Sequence, residues 1–164
     1  MNGQAKEPGF FNIDIKIPSR LVRLVNNDTS QVYLDQKSKS ILTIVRSKIG
    51  NPGETSVTSE SLYNNLLSDD NCFQVNKEWM QLKLSECHIV SWKTKTRKKN
   101  RQNNQNNKAF IEVGGLWYTL HLSSPSINEK DMIPLFYKML KSIDIPAENK
   151  KSKRIRAKNR RKKK

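Results

Sequence analysis

The stretch Phe110-Ile111-Glu112-Val113-Gly114-Gly115-Leu116-Trp117-Tyr118-Thr119-Leu120-His121-Leu122 sets two β-rich segments on either side of a glycine pair. Gly-Gly is favoured in two-residue hairpin loops, whose central residues need a backbone region that side chains disfavour. The spacing therefore predicts an antiparallel hairpin, with Trp117 and Tyr118 facing opposite sides of its second strand.

Upstream, His88 to Lys99 reads as a long strand that leads into a basic segment, and Asn100 to Asn107 reads as a polar loop tip. Met80, Leu82 and Leu84 alternate as a further strand. At the start, Phe11, Ile13, Ile15 and Ile17 alternate with Asn12, Asp14 and Lys16, the pattern of a half-buried strand that Pro18 ends or bends. Leu21–Val25, Val32–Leu34 and Ile41–Val45 read as three more short extended segments. Gly50-Asn51-Pro52-Gly53 breaks the chain, and Leu62, Tyr63, Leu66 and Leu67 then recur at helical spacing with Thr58 or Ser59 available as cap.

Downstream of the hairpin, Met132, Phe136, Met139, Leu140 and Ile143 form an apolar helical stripe. Pro134 sits comfortably there if Asp131 is the N-cap, because first-turn amides have no intrahelical partner. The expected class is α+β: an antiparallel, strongly twisted sheet or small barrel, with one short internal helix and a C-terminal helix. The order of elements resembles an OB-fold or a pleckstrin-homology-like barrel. The expected division is a flexible lead over 1–9, one domain over 10–146 with a basic hairpin arm at 93–108, and a disordered basic tail over 147–164.

Charge is the strongest functional signal. The chain has 164 residues, with 31 Lys and Arg against 15 Asp and Glu, a formal net charge of +16. Residues 1–92 are neutral, with ten charges of each sign. Residues 93–108 carry seven basic and no acidic residues, and 147–164 carry eleven basic and one acidic. Two segments thus hold the excess, which names an acidic partner.

On a strand, Lys93, Lys95, Arg97 and Lys99 would share one side at about 6.5–7 Å spacing, with Lys98 and Arg101 close by. Such a row suits a phosphate backbone, since each cation displaces a condensed counterion. The tail adds Lys150, Lys151, Lys153, Arg154, Arg156, Lys158, Arg160 and Arg161, in blocks that resemble nuclear-localisation patches. Trp92 and Tyr118 are the candidates for base stacking, although large aromatic rings are more often core.

Enzymatic readings find no support. Cys72, Cys87, His88 and His121 lack paired ligand spacing, so no metal or cofactor is expected. Gly114-Gly115 is followed by Leu116-Trp117 rather than by the lysine and helix start of a phosphate loop. Two cysteines suggest reduced thiols rather than a disulfide framework. The N-terminal stretch is not expected to be a secretory signal, and no membrane partner is expected.

The leading expectation is a non-enzymatic nucleic-acid-binding protein, RNA favoured over DNA: a component or assembly factor of a nuclear or nucleolar ribonucleoprotein. The alternatives are a protein-interaction adaptor, or a chromosome-associated DNA-binding subunit whose basic segments serve as import signals. A protein partner in a larger complex fits either.

Overall fold

The computed structural model describes residues 13–48, 54–96 and 103–144. Seven strands make one sheet: β1 (Val22–Asn26), β2 (Ser30–Asp35), β3 (Ser40–Lys48), β4 (Cys72–Gln81), β5 (Glu86–Thr94), β6 (Asn104–Val113) and β7 (Leu116–Pro125). Helix α1 (Glu54–Leu67) joins β3 to β4, and a single 3-10 turn (Ser126–Asn128) leads into α2 (Glu129–Lys141). The strand order is β1-β2-β3-β7-β6-β5-β4, antiparallel at every pairing.

This is the expected α+β class with its internal and C-terminal helices. Among the described residues β1 and β4 each pair on one side only, so the sheet is not a closed barrel, and the open order supports neither the OB-like nor the PH-like plan. The basic tail at 147–164 and the lead at 1–9 lie outside the described residues.

The centre of the sheet is the β6–β7 hairpin. Gly114 and Gly115 have φ of +60° and +80°, the all-positive geometry of a two-residue loop whose twist matches that of its strands. Val113 pairs with Leu116 across it. Strict alternation then divides the side chains between two layers. Tyr118, Leu120 and Leu122 join Leu42, Ile44, Cys87, Ile89, Ala109 and Ile111 on one face, where Met132, Phe136, Met139 and Leu140 of α2 cover them. On the other face, Val90, Trp92 and Phe110 pack with Leu66 of α1, flanked by Leu62, Tyr63 and Trp117.

Several local expectations are corrected. The Phe11–Ile17 strand is not formed over its described part: Asp14 makes only an isolated bridge, exchanging two backbone hydrogen bonds of 2.7 and 3.0 Å with Asp144. Ile13 is drawn into the core beneath α2, so the segment is used to tie down the end of that helix. Helix α1 begins at Glu54, leaving Thr58 and Ser59 inside it rather than capping it; the Ser59 hydroxyl donates to the Ser56 carbonyl. The strand predicted around Met80 to Leu84 ends at Gln81 and extends back to Cys72.

The Asn-rich loop tip is in large part a strand. β6 starts at Asn104, and Gln105, Asn106 and Asn107 are buried in mid-sheet. Ladders to β5 and β7 on both sides satisfy its backbone, which lets polar side chains occupy a central strand. Helix α2 starts at Glu129, so Asp131 is not its N-cap and Pro134 lies one and a half turns in. Pro134 is on the exposed side, where water can meet the carbonyl left without its donor.

At the far end of the α2 face a buried carboxylate closes the β2–β3 hairpin. Asp35 accepts hydrogen bonds from Arg20 Nη2 at 2.5 Å, Ser38 Oγ at 2.7 Å and the Lys37 amide at 3.2 Å. Burial raises the Asp35 pKa, but the bonds from Ser38, Arg20 and Lys37 outweigh it and the net shift is downward. A carboxyl depressed in the folded state stabilises the protein above its unfolded pKa, and that contribution is lost as pH falls through the folded value. Asp35→Asn should therefore cost about 1–3 kcal/mol at pH 7. Urea midpoints compared above and below about pH 4 should also fall less steeply in the variant than in the parent.

Candidate functional site

The two helices do not cover the sheet equally. α1 packs chiefly on β4, β5 and β6, and among the described residues no helix covers the same face of β1, β2 and β3. Two register rows cross this face from edge to helix. One runs Val25, Val32, Thr43, His121, Lys108, Val90; the next runs Val22, Leu34, Ile41, Ser123, Asn106, Trp92.

Val22 and Val25 share this face because of an irregularity. Three residues apart, they would face opposite sides of a regular strand. The ladder slips between Arg23 and Val25, so that Val22 pairs with Leu34 and Val25 with Val32. Leu24 is the extra residue, and its presence turns both valines the same way. Val22, Val25 and Ile41 are 51, 42 and 44% exposed, with the half-buried Val32 and Leu34 between them.

Toward the helix the rows become polar. The Asn106 amide donates to Thr94 Oγ1 at 3.1 Å, and its carbonyl oxygen lies 3.1 Å from His121 Nε2. Burial, and after it the Lys108 charge, push the His121 pKa down to about 4, so the ring is neutral at pH 7. With Asn106 presenting an acceptor, Nε2 carries the proton and Nδ1 is left as an acceptor. Trp92 stacks on the ring at 5.5 Å between centroids.

Lys108 stands beside this group. Its ammonium is 5.5 Å from the Phe110 ring centroid, and desolvation lowers its pKa. Among the described residues no carboxylate makes an ion pair with it, whereas Lys77 on the same face is bound to Glu60 at 2.5 Å. Trp117 stacks on Phe110 at 6.2 Å, and its indole N–H is buried with no acceptor among the described residues.

The residues singled out from the sequence are placed elsewhere. Lys93 projects to the α2 face, where it pairs with Glu129 at 3.0 Å, and Lys95 donates to the Asp70 carbonyl at 3.0 Å. β5 ends at Thr94, so Lys95 lies beyond the strand. Arg97, Lys98, Lys99 and Arg101, and the tail residues Lys150, Lys151, Lys153, Arg154, Arg156, Lys158, Arg160 and Arg161, lie outside the described residues. Tyr118 is fully buried and Trp92 is 8% exposed, so neither ring offers a stacking platform.

Lys108, Asn106 and His121 carry no shared signal in the sequence, where His121 lacks metal-ligand spacing, Asn106 has loop composition and Lys108 is one charge in a run. Their common signal is a pairing register, visible once β6 is extended back to Asn104.

Together these features define an open antiparallel sheet with one helix on each face. Solved structures of this class that resemble the chain include the cyanobacterial PsbP protein CyanoP from Synechocystis, 11% identical with a TM-score of 0.59 over 82% of this chain and 87% of that one. LpqN of Mycobacterium tuberculosis, described as involved in cell envelope biogenesis, is 13% identical with a TM-score of 0.56 over 82% and 83%. The protein Mog1 is 8% identical with a TM-score of 0.57 over 82% and 90%. No family model and no curated protein matches the sequence.

These neighbours overturn the expectation of an RNA-binding component of a nucleolar ribonucleoprotein, and with it the DNA-binding alternative. None of the three is described as a nucleic-acid-binding protein. The geometry agrees, since the described lysines of the basic row are tied to acidic or carbonyl partners and the stacking candidates are buried.

The neutral state of His121 has a measurable consequence. Its folded pKa is below the unfolded value near 6.5, so the unfolded chain takes up the proton first as pH falls. The histidine's contribution is complete above about pH 6.5 and is lost progressively as pH drops toward 4. His121→Gln, which keeps a donor for Asn106, should flatten the fall in stability between pH 6.5 and 4, as read by urea midpoints at half-unit intervals.

Proposed function

We propose that the protein is a non-catalytic binding module that docks a protein partner on the open half of its sheet. The observation that carries this reading is the exposure of Val22, Val25 and Ile41 on one face, joined by Val32 and Leu34 into a continuous apolar strip. Scattered apolar residues on a surface need no explanation, but a contiguous strip with a polar border is the signature of an interaction site. Val57, Leu67 and Trp79 are also exposed, but they stand on α1 and β4, on the far side of the sheet from β1.

The strip adjoins β1, which among the described residues pairs on one side only. β1 is short, and all five of its residues are exposed. A partner segment can lie across β1–β3 and bury apolar side chains in the space that α1 leaves uncovered.

Two features favour binding over catalysis. Burial pushes the Cys87 thiol up to about 12, and burial together with the nearby Asp69 raises the Cys72 thiol, so neither is a ready nucleophile at neutral pH. Among the described residues no group of three His, Cys, Asp or Glu converges as a metal site. No helix among them is long and apolar enough to cross a membrane.

The test is a displayed peptide library selected on the full-length protein, with the enriched peptides then measured on substituted proteins. Val25→Asp and Ile41→Asp should each weaken those peptides at least about tenfold, about 1.4 kcal/mol. Val57→Asp on α1 should leave them unchanged. Enriched peptides that bind the two sheet variants as well as the parent would remove this reading.

A further inference from the structure

The open face has an apolar half and a charged centre, and the second feature identifies what the partner must bring. We propose that Lys108 is the anchor for a single carboxylate side chain of the docked protein, flanked on the partner by apolar residues that cover Val25, Val32 and Ile41. This inference rests on the docking reading above and narrows it to a partner chemistry.

Three observations converge on it. Lys108 occupies the same register row as Val25, Val32 and Thr43, so one partner segment crossing the strands meets both features. The ammonium is half-buried against the Phe110 ring and has no anionic partner among the described residues. Removing a charge from water without compensation is costly, and an incoming carboxylate supplies the compensation. Glu112 shares the face but lies four residues along β6, about 13 Å away at strand rise, and makes no ion pair with Lys108.

The chemistry favours a carboxylate over a phosphate. His121 is neutral and already donates to Asn106, and Lys77 is held by Glu60. Among the described residues of this stretch of the face, that leaves one positive charge rather than a cluster, and the amides of a central strand are spent on the ladder. Thr43 lies in the same register row as Lys108, across His121, and Thr119 is on the neighbouring strand one row along, so hydroxyls flank the charge on this face. Val32 lies three strands from Lys108, about 14 Å at the usual spacing, which four extended residues span.

The experiment uses the full chain and two synthetic octapeptides. Both carry two leucines, and four residues further on one has a glutamate and the other a glutamine. Binding is followed by NMR shifts of Val32, Thr43 and Lys108. The glutamate peptide should bind the parent at least tenfold more tightly than the glutamine peptide. Lys108→Met should abolish that preference while leaving the glutamine peptide bound, and Lys108→Arg should retain it.

A dispersed spectrum for each variant establishes that it is folded. Equal binding of the two peptides to the parent overturns the carboxylate anchor and leaves the docking face standing. A glutamate preference that survives Lys108→Met places the charge recognition elsewhere and also overturns it. Failure of both peptides to shift the three residues removes the inference and the docking reading together.

Discussion

The positive backbone angles at Gly114 and Gly115 fix the register of β6 against β7, and every layer of the molecule is referred to that register. A one-residue slip would exchange the two faces of a strand. Here it would send Tyr118, Leu120 and Leu122 toward α1 and bring Trp117, Thr119 and His121 under α2. The α2 stripe would then meet a histidine and a threonine in place of its core. Because both faces of this hairpin are covered, the turn determines the two helix interfaces and also the side on which Lys108 emerges.

Legibility in the sequence followed the strength of local pattern. The hairpin was readable because its turn chemistry and its alternation agree, and the α2 stripe because five apolar residues recur at helical spacing. Over Asn104–Asn107 the polar composition suggests a loop, whereas the chain forms the start of β6 there. Its burial is a tertiary effect, made acceptable by ladders on both sides. The Phe11–Ile17 alternation was real as a burial pattern, since Ile13 is core and Ile15 and Ile17 pack on it. Alternation does not specify a partner strand, however, and here only Asp144 is paired.

The candidate site was almost wholly illegible. Its apolar half depends on a ladder slip at Leu24, and no residue there signals one: the segment Val22-Arg23-Leu24-Val25 contains neither glycine nor proline. Its charged centre depends on the register between three strands that are distant in sequence. The basic row is the more visible feature because charge can be counted without structure. Its described members, Lys93 and Lys95, bind Glu129 and the end of the α1–β4 connection, which makes them structural.

Lys93 and Lys108 show how face decides the use of a charge. They lie on neighbouring strands, Lys93 paired with Gln105 and Lys108 with Val90. Lys93 is directed to the α2 face, where the first turn of that helix offers Glu129, and the pair ties β5 to the helix start. Lys108 is directed to the α1 face, where Glu60 of α1 is committed to Lys77. α1 carries one further carboxylate, Glu54, in its first turn, and it forms no ion pair with Lys108. Desolvation opposes the charge of Lys108, and among the described residues the Phe110 ring, not an anion, is what offsets it. A charge so placed is what the docking proposal calls for, in the way that binding sites retain groups that the folded chain alone would be more stable without.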